Sequence, residues 1–395
     1  MINKRKLTIF DNFCLKMIVK GAWIYPGTPD AGTLSASFIL MQDKYPYLRG
    51  RYSCEESVVI WDGSEEPEKL EVLRRPGHTT SENMYSLVPE FDLKAFLKGK
   101  KGAVCAYLLV LDDGCAIVVQ AAHALMDASS FYGFVREWAS LCGGKDTAGM
   151  VCDSSFLPAP EALTKEETLN RVIAQKWPKL GFSGLLRMFF YRLRFKDSLY
   201  YDFEIPFDDV LKMKATTGMS VNSLLCYYAL SQLVPKDKKA RRIKVLEVID
   251  LRGRASGFPE NFIGNCAQAF PVAEIYADGV VDLLHCARSV QEGLSCLLEP
   301  EKLDEMLQLT LSASYHKLPY FSFDPTRMNA PGLEIIYVNN QLKFRAAEID
   351  FGQGLPLRVQ QAELPDMIKF WQEAPGGPVK ICYSGYAAYL MKKNN

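Results

Sequence analysis

VVQAAHALMDASSFYGFVREW (118–138) changes periodicity in its middle. Up to the histidine, Cys115, Ile117, Val119, Ala121 and His123 fall on one face at a spacing of two, the repeat of a strand. After Asp127, residues Phe131, Phe134, Val135, Trp138 and Leu141 recur at three and four, the stripe of an amphipathic helix that ends near Gly143-Gly144. Asp127 and Ser129 are both short polar residues of the kind that cap a helix start. The pattern predicts strand, tight connection and helix, with an imidazole at the strand end and a carboxylate at the helix N-terminus.

Working outward, AVCAYLLVLDDGCAIVVQAAH reads as a hairpin turning at Asp112-Asp113-Gly114. TLSASFILMQDKYPYLRGRYS is helix-like, with Leu34, Phe38, Ile39 and Met41 at near-helical spacing before Pro46, and the polar stretch 152–176 reads as a crossover with one short helix. In the second half, SLYYDFEIP is strand-like, a helix follows from Asp208 to Ala215, and Ser220 caps a further helix over VNSLLCYYALSQL. KVLEVIDLRGR reads as a strand, and GLEIIYVNN, LKFRAAEIDFG, LPLRVQ and VKICYSGYAAYLM as short strand-like runs. Helices and strands mixed through both halves predict two α/β or α+β layers of similar build. A chain of 395 residues is long for one hydrophobic core, so two domains are expected.

Apolar residues make up 48% and charged residues 23% of the chain, a globular balance. Lysine plus arginine and aspartate plus glutamate number 46 each, so no net field draws the protein to nucleic acid. The local basic run LLRMFFYRLRFK reads as a helix with snorkelling arginines at a domain edge, and PKDKKARRIK as a solvated loop. No apolar run reaches the roughly 18 residues of a membrane span, and Asp11 and Asn12 interrupt what a secretory signal would need. The eleven cysteines are scattered without zinc spacing, which fits buried thiols in a reducing cytosol and predicts a cytoplasmic, metal-free protein.

His123 is the chain's candidate for chemistry. A neutral imidazole takes a proton from an attacking hydroxyl or amine near operating pH and returns it to a leaving group. The chain has no G-x-S-x-G nucleophile elbow, so direct attack by an acceptor that His123 activates is the simpler scheme. Asp127 can orient the ring or serve as an anchor whose charge is met by Arg252 or Arg254 of IDLRGR. His78, His285 and His316 lack the mutual spacing of a metal site.

GCAIVVQAAHALMDASSF resembles the H-x-x-x-D-G signature of the BAHD acyltransferases and, more broadly, of the coenzyme A dependent acyltransferases that include chloramphenicol acetyltransferase and the condensation domains. The order of further segments supports it. LTIFDNF and YPYLRGRYS resemble the family's opening L-S-x-x-D and P-L-x-G-R, VIDLRGRASGFPENFIGNCAQAF its D-x-R-x-R and Y-F-G-N, and EIDFGQGLPLRV its D-F-G-W-G-x-P. The resemblance implies an α/β (α+β) fold of two similar chloramphenicol-acetyltransferase-like domains with a channel between them. Its parts are an N-terminal half over 1–175, a crossover segment over 176–200 and a C-terminal half over 201–395. His123 becomes the general base and Asp127 the structural partner of the motif, paired with Arg252 or Arg254, while Asp350, Gly352 and Gly354 become structural.

Three positions depart from the family pattern. Ala128 stands where the motif has glycine, Gln353 where D-F-G-W-G has tryptophan, and Asn339-Asn340-Gln341 where the family often has T-S-W. Gln341 retains a side-chain donor for an oxyanion. The expected activity is transfer of an acyl group from acyl-coenzyme A, a co-substrate and not a bound cofactor, to a small-molecule alcohol or amine. A monomer suffices, since both walls of the site come from one chain. Two other readings keep the fold: a carrier-protein-dependent condensation-type transferase and a binding protein without turnover.

Overall fold

The turn at Asp112-Asp113-Gly114 brings two apolar strands into the middle of the first sheet, and a Cβ on Gly114 would stand 2.3 Å from the Tyr25 carbonyl oxygen. Asp113 braces the same turn, accepting from the Thr79 backbone N–H at 2.8 Å and its hydroxyl at 3.0 Å. The structure, a computed structural model, describes residues 2–80, 83–175, 177, 179, 186, 200–233, 241–277, 283–319, 333–362, 367–385, 387–388 and 391. Most of the expected crossover segment 176–200, including almost all of LLRMFFYRLRFK, lies outside the described residues, as does 235–240 of PKDKKARRIK.

The chain opens with β1 (Asn3–Lys6), α1 (Ile9–Phe13), β2 (Ile18–Tyr25) and α2 (Ala31–Lys44), followed by β3 (Arg51–Ser53), β4 (Val58–Trp61) and β5 (Leu70–Arg74). Next come α3 (Leu93–Leu97), β6 (Val104–Val110), β7 (Cys115–Ala122) and α4 (Ala128–Cys142). β1, β4 and β3 make a small sheet of their own. Every residue of β7 is buried, because it pairs with β2 on one side and β6 on the other and is covered on both faces. Helix α4 packs on this sheet through Phe131 against Trp23, ring centres 6.2 Å apart, and on α2 through Trp138 against Phe38 at 5.0 Å. The polar end of Trp138 is satisfied by the Leu34 carbonyl at 3.2 Å, so the indole is buried without an orphaned donor.

After α5 (Lys165–Ala174), the second half contains β8 (Tyr200–Ile205), α6 (Phe207–Thr217), α7 (Val221–Leu233), β9 (Arg241–Asp250) and β10 (Ala267–Ala277). It continues through α8 (Leu283–Leu297), α9 (Pro300–Tyr315), β11 (Leu333–Asn340), β12 (Arg358–Gln361), β13 (Ile368–Gln372) and β14 (Val379–Ser384). Six of its strands form a mixed sheet in the order β10-β9-β11-β13-β14-β8. Strand β12 leaves that half and closes the edge of the first sheet, antiparallel to β2 with Arg358 opposite Ile24 and Gln361 opposite Gly21. The order of the first sheet is therefore β12-β2-β7-β6-β5.

Two strand-like readings are corrected: VKICYSGYAAYLM is strand over Val379–Ser384, and its described residues beyond that, 385, 387–388 and 391, are helical. LKFRAAEIDFG forms two short 3-10 turns, Leu342–Phe344 and Ala346–Glu348, on either side of Arg345, whose φ and ψ of 45° are left-handed. A left-handed residue breaks the period-two backbone, and the apolar residues that suggested a strand, Ala346, Ala347, Ile349 and Phe351, are instead buried beneath the turns.

Candidate active site

A cavity of about 220 Å³ opens where the end of β7 and the start of α4 meet β9, β10 and the turn after β11. His123, Asp127 and Gln341 all line it, with Asn265 and Lys343. Arg252 stands behind Asp127, and Asp350, Gly352 and Gly354 are not among the lining residues.

His123 follows the last residue of β7, and its backbone N–H donates to the Met17 carbonyl at 3.0 Å. The ring is half-buried, Nδ1 lies 3.2 Å from Asn265 Oδ1, and Nε2 has no partner among the described residues. The Asn265 amide donates to the His123 carbonyl at 2.8 Å, so one asparagine grips the histidine by ring and backbone.

Asp127 is the N-cap of α4, its Oδ1 accepting from the Ser130 N–H at 2.9 Å. Arg252 engages both carboxylate oxygens, Nη1 to Oδ2 at 2.9 Å and Nη2 to Oδ1 at 3.0 Å, and the Cys266 N–H adds a further bond to Oδ2 at 3.0 Å. With both oxygens so engaged, the carboxylate has no bond to the imidazole. Its partner is equally occupied: Arg252 also donates to Asp250 Oδ1 at 2.8 Å, to Ser130 Oγ at 2.7 Å and to the carbonyls of Phe262 at 2.8 Å and Gly264 at 2.9 Å. Burial works against the charge of Arg252, and the neighbouring Asp127 and Asp250 outweigh it, raising the guanidinium above its usual value. Burial likewise opposes the charge of Asp250, yet Arg252 and Lys343 hold it below the usual carboxylate range. Arg254 is exposed and reaches the Asp250 carbonyl at 3.4 Å.

Segment 262–266 must approach α4 closely to make these bonds. A Cβ on Gly264 would stand 2.4 Å from the Phe262 ring and 2.7 Å from Arg5 Nη2, so glycine lets the backbone pass beside both, and its N–H donates to Ser130 Oγ at 2.9 Å. Ala128 occupies the first turn of α4 with helical backbone, where a methyl group is accommodated without strain.

The far wall is the turn at Asn339-Asn340-Gln341. Asn340 donates to Asn222 at 2.9 Å, and Asn222 in turn donates to both oxygens of Glu247 at 2.8 and 3.0 Å. Burial pushes Glu247 up to about 7, against the Asn222 and Cys226 bonds and the charge of Arg254, which favour its ionised form. The Gln341 side chain makes no hydrogen bond to the described residues, while its backbone N–H is held by the Phe370 carbonyl at 2.9 Å. Cys14 also lines the cavity, but burial and the charges of Asp11 and Asp127 push its thiol up to about 12, which leaves it protonated and unsuited to nucleophilic attack.

Asp350 lies in an exposed turn, where its Oδ1 accepts from the N–H of Gly352 at 2.7 Å and of Gln353 at 2.9 Å. Gly352 and Gly354 carry φ of +90° and +82°, values that side chains disfavour. Gln353 donates to the Gly352 carbonyl at 3.1 Å and is exposed.

Two residues beside His123 were given no part in its chemistry by the sequence, Asn265 in the segment GNCAQAF and Asp11 in LTIFDNF. The signal was their presence in segments that align in order with a family pattern, and no local periodicity could have assigned them a partner.

No family model matches the chain. It is similar to phenolic glucoside malonyltransferase 1 of Arabidopsis thaliana, with 23% identity over 355 residues that cover 79% of this chain and 70% of that protein. Among solved structures, TRI101 of F. sporotrichioides, complexed with coenzyme A and T-2, aligns over 100% of this chain and 97% of its own with a TM-score of 0.72 and 14% identity. Vinorine synthase aligns over 98% and 91% with a TM-score of 0.68 and 15% identity. The first condensation domain of the calcium-dependent antibiotic synthetase, in complex with a substrate analogue, aligns over 99% and 94% at 0.61 and 14%. Such full-length superposition at low identity speaks for the fold: the chain has the two-domain, mixed α/β architecture of the BAHD-like and chloramphenicol-acetyltransferase-like acyltransferases.

Proposed function

We propose that the protein transfers an acyl group from acyl-coenzyme A to a hydroxyl or amine of a small molecule, with His123 as general base. The observation that carries this reading is the half-buried imidazole on the cavity wall, held through Nδ1 and its carbonyl by Asn265, with Nε2 unpartnered among the described residues. Its fold neighbours include TRI101 with coenzyme A bound, which supports the choice of donor.

In the step so proposed, Nε2 accepts the proton of the acceptor O–H or N–H as the oxygen or nitrogen attacks the thioester carbonyl. The tetrahedral intermediate carries the negative charge on the former carbonyl oxygen, and Gln341, whose side chain makes no hydrogen bond to the described residues, is assigned as its donor. Collapse breaks the C–S bond, and the imidazolium returns its proton to the leaving sulfur, giving free thiol and acylated product. Asp127 and Arg252 take no proton in this scheme. They fix the turn that carries His123 and join it to the segment that carries Asn265.

The same reading includes a division of the chain into halves over 1–175 and 201–395, a monomer, and a cytoplasmic location. Among the described residues no helix is long and apolar enough to cross a membrane, and no cluster of His, Cys, Asp and Glu could hold a metal ion. The test is thiol release from a panel of acyl-coenzyme A thioesters mixed with alcohols and amines, run beside the same acyl groups on a carrier protein. Acceptor-dependent release from coenzyme A supports the proposal. Release from the carrier alone would move the chain to condensation-type chemistry, and binding of thioester without release would make it a binding protein.

A further inference from the structure

A general base needs its lone pair on the nitrogen that faces the substrate, and an imidazole alone does not decide which nitrogen carries the proton. Here the surroundings decide. Asn265 is 2% exposed, and its Nδ2 donates to two oxygens: Oδ1 of the fully buried Asp11 at 2.8 Å and the His123 carbonyl at 2.8 Å. The amide therefore cannot turn over without setting oxygen against oxygen twice. Its Oδ1 is left facing His123 Nδ1 at 3.2 Å, and an amide oxygen accepts but never donates. The ring must answer with Nδ1–H, which places the lone pair on Nε2.

Asp11 is itself fixed. It accepts from the Thr8 N–H at 2.9 Å in the capping box of α1, and the Arg5 guanidinium stands 4.0 Å away, 7% exposed and stacked over the Tyr47 ring. The anchor thus comes from the first turn of the chain, 254 residues from the asparagine it orients.

We infer that Asn265, oriented by Asp11, is a positioning residue that locks His123 in the Nδ1–H tautomer and so keeps Nε2 ready to take the acceptor proton. The inference rests on the reading of His123 as the base, yet it is testable without turnover. The chain has four histidines, so a 15N spectrum of the histidine-labelled protein is simple, and His123→Gln identifies the signal of interest. At a pH well above the ordinary imidazole value of about 6.5, the wild-type ring should show a protonated Nδ1 and an unprotonated Nε2. Asn265→Leu, which removes the acceptor at similar volume, should give a mixture of tautomers. It should also lower kcat on the order of 10-fold to 100-fold while leaving KM for the thioester within about threefold, since a wrong tautomer at a catalytic histidine costs rate rather than binding.

A wild-type ring protonated on Nε2 would overturn the inference, and so would an unchanged Nδ1–H ring in folded Asn265→Leu. Should that variant fail to fold, the wild-type spectrum still decides. An Nδ1–H ring in a protein that releases no thiol would leave the inference standing and sink the acyltransferase reading, whereas thiol release with an Nε2–H ring would do the reverse.

Discussion

Two turns in this molecule resemble family signatures about equally well in sequence, and their physical settings are opposite. The HALMD turn ends in a carboxylate whose two oxygens are bonded by Arg252, Ser130 and Cys266, in a buried junction between the first half of the chain and segment 250–266. The DFGQG turn begins with a carboxylate that is exposed and, among the described residues, is bonded to the backbone of the residues that follow it. A short motif therefore reports a backbone shape in one case and a junction beside a cavity in the other. What separates them is the burial of the carboxylate and the presence of a cation.

The largest stability effect should come from breaking the junction. Arg252→Met leaves Asp127 buried without its cation and Asp250 with Lys343 alone, and removal of one partner from a buried pair typically costs about 3–5 kcal/mol. Chemical denaturation should show it, and a loss below about 1 kcal/mol would mean that the junction is not the structural centre described here.

Glu247 sharpens the comparison because it is a buried carboxyl in which burial outweighs the charge of Arg254. Its folded value near 7 lies above the ordinary value of 4.5. Below the ordinary value the proton is bound in both states and the contribution to stability is complete. As pH rises through about 7, the folded protein must release a proton that the unfolded chain has already lost, and that contribution disappears. Glu247→Gln should therefore flatten the fall in stability between about pH 5 and 8, by on the order of 2–3 kcal/mol. Parallel stability curves for the two proteins would show that this carboxyl does not titrate there.

The smallest effect belongs to the exposed turn. Asp350→Ala removes two hydrogen bonds that water can replace, so the expected loss is about 1 kcal/mol or less, with kcat unchanged. A loss matching that of Arg252→Met would erase the contrast between the two turns.

Much of the first half was legible because its signals are local. The hairpin at Asp112-Asp113-Gly114, the helix after Asp127 and its cap follow from turn chemistry and periodicity within a few residues. The crossing of β12 into the first sheet was not legible, since alternation marks a strand but does not say which strand it pairs with. LKFRAAEIDFG misled for a related reason: its apolar residues are buried, but a left-handed Arg345 sets them under turns. In the cavity, His123 stood out by its chemistry, while Asn265 and Asp11 did not. Their meaning depends on contacts across 142 and 254 residues, which no single segment encodes.

The account rests on one imidazole, and replacing it is the most direct test. Wild-type protein and His123→Ala should be compared for acceptor-dependent thiol release from acyl-coenzyme A, with circular dichroism to verify that both are folded. The account predicts a fall on the order of 100-fold to 10,000-fold in the variant, the usual contribution of a general base. Equal release by the two folded proteins would contradict it.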